Sequence, residues 1–173
     1  MQVRYDATAD RILWQVRTQA GEMFSAWLTR RMLSQLWKPF QNLVGQSSLA
    51  HPTNAASLMP EAREMLAQTA RARPLPGADF NAPFNPQATA LPMGPEPLLP
   101  ITANMRPRPD GPGMVLHLRD DQGRGMSVQL TSDMCTALSR LLEKAITDAD
   151  WGLAVSAPLL AAPNGPQAPR LLN

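Results

Sequence analysis

The chain has 173 residues, 44% of them hydrophobic, which is enough apolar material for one ordinary domain core. Its net charge of +2 is too small to indicate a polyanion partner by itself, and its single cysteine, Cys135, excludes an intrachain disulfide and a thiolate-rich metal cage. No signal-like segment precedes the first charged residues, and no apolar run approaches the ~18 residues that cross a bilayer. We therefore expect a protein of a reducing compartment, most simply a bacterial-type cytoplasm, with no membrane contact.

Residues 1–46 show the alternation of β-strands, followed by a helical period. Residues 3–5 form a short alternating stretch, and Gly21 lies at a hairpin turn, where glycine tolerates positive φ. In the two strands on either side of Gly21, alternate residues are apolar and define an inward face: Ile12, Trp14, Val16, Phe24, Ala26 and Leu28.

The apolar period changes from 2 to 3.6 at the end of the second hairpin strand. Thr29 is a good N-cap residue, and the apolar stripe that follows predicts a helix: Leu28, Met32, Leu33, Leu36, Trp37, Phe40, Leu43 and Val44. Gly45 is a natural residue for the helix C-terminus. Pro39 lies inside this stripe, where it removes a backbone hydrogen bond at a cost of about 3 kcal/mol. We expect a kink or a break into two helices there.

The same order of features recurs 102 residues later, so that "RTQAGEMFSAWLT" from Arg17 corresponds to "RDDQGRGMSVQLT" from Arg119. The second set of strands has Met114, Leu116, Leu118, Met126, Val128 and Leu130 inward. Thr131 or Ser132 begins a helix with the stripe Met134, Leu138, Leu141, Leu142 and Ala145. Because a slip of one residue would reverse every side chain, agreement along both strands indicates a repeated folding unit.

The sequence thus predicts an α+β protein built from internally duplicated ββα units that form one pseudo-twofold domain. An added strand before each hairpin, at residues 3–5 and 101–105, would make each unit βββα. The predicted organisation is residues 1–46 for the first unit, 47–73 for a linker with a short helix from Pro60, 74–112 for a largely irregular Pro-rich linker, 113–153 for the second unit and 154–173 for a Pro/Ala-rich disordered tail.

Residues with catalytic or metal-binding chemistry are sparse. His51 and His117 fit no metal or catalytic motif, and Cys135 corresponds to Leu33 on the core stripe, which favours a buried thiol. The pairs Asp120–Asp121 and Asp148–Asp150 lack the other ligands of a divalent-cation loop. We expect a non-enzymatic protein with no metal and no cofactor.

The outward sheet face and the helix carry the candidate binding residues: Arg17, Met23, Trp27, Arg30, Arg31, Lys38 and Arg119. An exposed Trp and Met favour contact with another protein or self-association, supplemented by the Pro-rich segments. The alternative is a single-stranded nucleic acid, whose phosphates would meet Arg17 and Arg119 while a base stacks on Trp27. The primary hypothesis is therefore an interaction or scaffold protein.

Overall fold

Two three-stranded antiparallel sheets, each followed by a helix, make up the long described stretches of the chain. The computed structural model describes residues 1–48 and 87–153, with Met59, Met65, Thr69, Leu75, Phe84 and Asn85. The elements in chain order are β1 (Gln2–Asp6), β2 (Arg11–Arg17), β3 (Met23–Thr29), α1 (Arg30–Ser48), β4 (Thr102–Pro107), β5 (Gly113–Arg119), β6 (Gly125–Thr131) and α2 (Ser132–Asp148). The strand orders are β1-β2-β3 and β4-β5-β6. The fold is α+β, and each unit has the βββα form.

Both sheets have the same register. Trp14 faces Ala26 in the first sheet, and Leu116, which follows Trp14 by 102 residues, faces Val128 in the second. The pairings of β1 with β2 and of β4 with β5 agree at the same offset. Strands β2 and β5 also have identical burial patterns along their seven residues. One arrangement of three strands therefore occurs twice in the chain.

The turns and helix starts repeat as well. The Thr29 hydroxyl accepts a hydrogen bond from the Met32 N–H at 3.2 Å, and the Thr131 hydroxyl accepts from the Met134 N–H at 3.3 Å. Such a bond satisfies one of the amides that a helix start leaves without a partner. The prediction for Thr29 is confirmed, and of the two alternatives for the second helix, Thr131 and Ser132, the cap is Thr131. Gly21 has φ +85° and Gly123 has φ +78°, the conformation for which glycine is favoured in a hairpin.

A single hydrophobic core is shared by the two units. It joins the inward faces of both sheets to the apolar stripes of both helices: Ile12, Trp14, Val16, Ala26, Leu28, Met32, Leu33, Trp37, Phe40, Val44, Leu98, Met114, Leu116, Leu118, Met126, Leu130, Cys135, Leu138, Leu142, Ala145, Ile146 and Trp151. Helix α1 contacts β4 and β5 of the second unit, and α2 contacts β1 of the first. The inward residues predicted for both hairpins thus face one common interior.

The approximate twofold axis passes between the helices. The Gln41 side-chain amide donates to Glu143 Oε1 at 3.0 Å and to Ser139 Oγ at 3.2 Å. Gln41 and Glu143 occupy equivalent positions of the two units, 102 residues apart. A position can touch its own counterpart only close to the axis that relates them. The hydrogen bond therefore locates the pseudo-twofold axis at the α1–α2 contact.

The first helix is longer than predicted, and of the two alternatives predicted at Pro39, a kink or a break, the break is wrong. Helix α1 runs without interruption through Pro39 instead of breaking there, and it continues past Gly45 to Ser48. Pro39 lies on the exposed side of the helix, as does Gln35, whose carbonyl loses its usual N–H partner. A carbonyl on the solvent-facing side of a helix is not deprived of hydrogen-bond partners by such a loss, which explains why the helix tolerates the proline. Gly45 is buried inside the helix rather than ending it.

Part of the Pro-rich region pairs with the first sheet; we call residues 87–100 the strap. The strap runs parallel to the edge of β3, where the Met23 N–H donates to the Ala90 carbonyl at 3.0 Å and the Trp27 N–H donates to the Leu98 carbonyl at 2.8 Å. The Leu98 N–H donates to the Ser25 carbonyl at 2.8 Å, and the Leu98 side chain is fully buried. Strand β4 follows directly, inside the range 74–112 that the sequence assigned to a largely irregular linker.

Other predicted segments lie outside the described residues. They are the tail 154–173 and most of the linker 47–73. Of the linker, residues 47, 48, 59, 65 and 69 are described. Met65 and Thr69 are helical, and the Thr69 hydroxyl donates to the Met65 carbonyl at 2.9 Å.

A buried tryptophan after α2 returns to the first unit. The Trp151 indole N–H donates to Asp10 Oδ1 at 2.8 Å, and the Tyr5 hydroxyl donates to the same oxygen at 3.0 Å. The rings of Tyr5 and Trp151 meet edge to face with centroids 6.0 Å apart. These hydrogen bonds, from Trp151 first and Tyr5 second, hold the pKa of Asp10 below its ordinary value. The end of the second unit is thereby tied to the β1–β2 turn.

Replacing Leu98 with alanine should destabilise the protein by about 2–5 kcal/mol, because it leaves a cavity in the common core. The neighbouring Leu99 is 39% exposed, so Leu99→Ala is a matched control and should change the free energy of unfolding by about 0.5 kcal/mol or less. Urea unfolding of the two variants measures both values. Equal effects would contradict the anchoring role of Leu98.

The Asp10→Asn variant should be less stable than the natural protein at neutral pH, and the difference should shrink in acid. A carboxyl whose pKa is lowered by folding contributes stability above its unfolded pKa of about 3.9, and the contribution is lost as pH falls through the folded pKa. Urea unfolding at pH 7 and at successively lower pH values measures the difference. Asp121→Asn, at an exposed hairpin position, is the control; a difference for Asp10→Asn that does not change with pH would contradict the expectation.

Candidate binding site

The outer face of the first sheet is more closed than the sequence suggested. Arg17 is exposed and lies opposite Met23, and Trp27 lies opposite Leu13. Leu13 is only 7% exposed although it points away from the common core. Its cross-strand neighbours Trp27 and Arg4 flank it, so the Trp27 ring serves partly as a cover and is itself half-buried. This face is not an open aromatic platform.

The other predicted binding residues are spread over the molecule. Arg30 and Arg31 are exposed in the first turn of α1, and Lys38 is exposed further along that helix. Arg30 lies close enough to Asp10 to favour its charged form. Arg119 is exposed on the outer face of the other sheet. A role in binding stays a prediction for all of them, and only Arg17, Met23 and Trp27 share one sheet face.

The outer face of the second sheet contains a depression of about 640 Å³, which we call the basic groove. It crosses all three strands and is lined by Thr102, Asn104, Met105, Arg106, His117, Leu118, Arg119, Gly123, Gly125, Met126 and Ser127. The lining includes two arginines and a histidine but no carboxylate. The electrostatic potential of the groove therefore favours an anion.

The carboxylate nearest in sequence to the groove is already engaged. The Asp120 side chain is 3% exposed and accepts a hydrogen bond from Arg124 Nε at 2.7 Å. Its other oxygen accepts from the Gln122 and Arg124 backbone amides at 3.0 and 2.9 Å, as aspartate commonly does in a turn. Burial of the carboxyl opposes ionisation, but the hydrogen bonds from Arg124 and Gln122 outweigh it and lower the Asp120 pKa. Arg106 and Arg119 form no ion pair with any residue in the described ranges.

The two sheets differ most at their last strands. On β3, the backbone groups that pair with the strap belong to Met23, Ser25 and Trp27. The shared register puts Gly125, Ser127 and Gln129 of β6 in the same places. No strand or strap within residues 1–48 or 87–153 pairs with that side of β6. The edge of β6 therefore presents unpaired N–H and C=O groups next to the basic groove.

Side-chain burial reflects the same difference. Ala26 is completely buried beside Leu98 of the strap, whereas its counterpart Val128 is only half-buried. Ser127 and Gln129 are exposed, while their counterparts Ser25 and Trp27 are half-buried. The β6 edge thus has an accessible apolar position where the β3 edge has a filled one.

Covalent and metal chemistry find little support in the described part of the chain. Burial raises the pKa of the Cys135 thiol to about 11, and the side chain is fully buried, as the sequence predicted. No group of three or more His, Cys, Asp or Glu among the described residues could hold a metal ion. No helix in the described ranges has the length and apolar character needed to cross a bilayer.

The sequence did not identify the residues that make the groove a site. Thr102, Asn104 and Arg106 lie in β4, inside the range assigned to the linker, and His117 fits no metal or catalytic motif in the sequence. The 102-residue offset could have indicated that Arg106 lies on a strand, because it aligns Arg106 with Arg4 of β1.

Comparison of this chain with protein-family models, with curated proteins and with solved structures finds no match in any of the three.

Alkylation of Cys135 by iodoacetamide should be slow in the native protein and should follow the rate of unfolding, because the thiol is both buried and protonated at neutral pH. Mass spectrometry of samples labelled with and without urea measures the rates. Rapid stoichiometric labelling in native buffer would contradict the burial of this side chain.

Proposed function

We propose that this protein is a non-enzymatic interaction or scaffold protein that binds an extended segment of another protein along the edge of β6. The observation that carries the proposal is the difference between the two equivalent sheet edges. The edge of β3 is covered by the strap, and the edge of β6 is open within the described residues. The first unit thereby illustrates, within one chain, how such an edge accepts a segment.

Main-chain pairing supplies the affinity in this mode of recognition. An added strand satisfies the exposed N–H and C=O groups of an edge, and pockets for alternate side chains give specificity. On β3 the strap makes these bonds at 2.8–3.0 Å despite its prolines, because only a few of its amides face the sheet. The corresponding donors and acceptor on β6 are the Gly125 N–H, the Gln129 N–H and the Ser127 carbonyl. A Pro-rich partner segment is therefore compatible with this edge.

An apolar anchor would accompany the backbone bonds. In the first unit the anchor is Leu98, which is fully buried beside Ala26. Val128 occupies the position of Ala26 in the second unit and is half-buried. A leucine or similar side chain of the partner would cover Val128 and bury apolar area on both sides. We infer that the partner segment is bound in the cytoplasm, where the single thiol, Cys135, stays reduced.

Single-stranded nucleic acid is the second candidate ligand. The exposed Arg119 and Arg106 in a groove without carboxylates favour phosphate binding. A site for single strands also needs an aromatic side chain on which a base can stack. Trp27 lies on the other sheet and is half-buried, and no aromatic side chain lines the groove. Titration of a labelled oligothymidine at low salt, with Arg119→Gln as the variant, separates this ligand from a protein segment.

Hydrogen exchange on the full chain should show fast exchange for the Gly125, Ser127 and Gln129 amides and slow exchange for Met23 and Trp27. The latter two donate to the strap at 3.0 and 2.8 Å, whereas the former have no acceptor among the described residues. Residue-resolved exchange measured by NMR tests this. Slow exchange of all three β6 amides in the isolated protein would mean that the edge is already occupied, and the proposal would fail.

Removing the Gln129 N–H should weaken binding of an extended probe. The probe is a labelled peptide with the strap sequence "QATALPMGPEPLLP", residues 87–100. Gln129→Pro removes one donor at an edge position where proline is tolerated, so affinity should fall about fivefold, the value of one hydrogen bond. Gln129→Ala keeps the N–H and is the matched control.

Circular dichroism establishes that both Gln129 variants fold, and Ser127→Pro serves as a second edge variant. A probe that does not bind, or that binds the proline and alanine variants equally, would contradict pairing at this edge.

A further inference from the structure

We propose that the basic groove binds carboxylate side chains, so that the segment held on the β6 edge is acidic. This inference rests on the proposed function, because it assigns a charge to the partner of the same edge. It concerns side-chain recognition by Arg106, His117 and Arg119, which is separable from the backbone pairing.

The geometry connects the edge most directly to Arg119, since Arg106 lies on β4, on the far side of β5. Arg119 lies directly opposite Gly125, and Gly125 is the first residue of the edge strand. A segment paired with β6 would lie two strand spacings, about 10 Å, from β5. An arginine and a glutamate side chain together span that distance. Because Gly125 has no side chain, nothing projects from β6 between the two groups.

The space beside Gly125 is found in the second sheet and not in the first. The position of Gly125 is held by Met23 in the first sheet, and Met23 lies across from Arg17. The position of His117 is held there by Gln15, whose amide contacts Met23 Sδ at 3.8 Å and Ser25 Oγ at 3.2 Å. The first face is thus filled by its own side chains. The second face has a histidine and a glycine at those two positions.

The cations in the groove are available for a ligand. Arg106 and Arg119 are exposed, and neither pairs with a carboxylate in the described ranges. Asp120, the acidic residue that follows β5, is bound to Arg124 instead. Asn104 and Ser127 add neutral hydrogen-bond donors beside His117, which they face across the sheet. The N–H groups of guanidinium and amide side chains are suitable hydrogen-bond donors to carboxylate oxygens.

Acidic peptide is favoured over nucleic acid as the ligand. The groove contains no aromatic side chain on which a base would stack, and its cations lie within the width of one three-stranded sheet. The net charge of the whole chain is only +2. A few carboxylates on one face of an extended segment match this distribution, because alternate residues of that segment point to the same side.

The test compares two labelled peptides that alternate leucine with glutamate or leucine with glutamine, measured by fluorescence anisotropy at low and high salt. The glutamate peptide should bind more tightly at low salt and lose the advantage at high salt. The double variant Arg106→Gln/Arg119→Gln should weaken its binding roughly fivefold, while binding of the glutamine peptide stays unchanged. Arg4→Gln, at the position equivalent to Arg106 in the first sheet, is the matched control and should have no effect.

The outcomes distinguish the groove from the edge. If both peptides bind alike and the arginine variants have no effect, the groove inference is wrong while the edge proposal stands. If neither peptide binds and Gln129→Pro also leaves the strap peptide unaffected, the edge proposal is wrong. If an oligothymidine binds, the peptides do not, and the double variant abolishes the oligothymidine binding, the groove serves nucleic acid and the carboxylate assignment is overturned.

Discussion

The structure depends on the inability of either three-stranded sheet to bury its own inward face. Each sheet is apolar on one side, and a single helix covers only part of that side. The two units solve the problem together, because α1 reaches β4 and β5 while α2 reaches β1. The hydrogen bond from Gln41 to Glu143 lies where the helices cross, at the one region that both units share symmetrically. The fold is therefore one domain with a common interior rather than two linked modules.

That near-symmetry makes the differences between the units informative. Most interior residues keep their apolar character at equivalent positions, because a buried polar group without a partner is costly. An exception is Trp37, whose counterpart is the buried Ser139, and the Ser139 hydroxyl donates a hydrogen bond to Glu143. The outer faces carry no such restriction, and there the sheets diverge: Met23 corresponds to Gly125, and Trp27 corresponds to Gln129. One sheet has a filled face and a covered edge. The other has an open, cationic groove and an open edge, so the two halves of the domain differ in what they offer to a ligand.

Period and turn chemistry were sufficient to predict the α+β class, the repeated unit, the inward residues, both threonine caps and the buried Cys135. They were insufficient where tertiary contacts override local preference. Leu98 lies in a segment whose prolines indicate a linker, yet its side chain enters the core. Pro39 predicts a kink or a break, and the helix does not break there, since Pro39 lies on its exposed side. The groove was missed because Arg106 lies one residue beyond the added strand predicted at 101–105, and its place beside β5 follows from strand pairing rather than from composition.

The strap also constrains how copies of this chain can associate. Only residues 99–101 separate the buried Leu98 from the start of β4. Exchange of the second unit between two molecules requires a connection that can swing out as a hinge. Here such a swing would first have to extract Leu98 from the interior and break its two hydrogen bonds to β3. The short tether therefore opposes domain swapping by a hinge between Leu98 and β4.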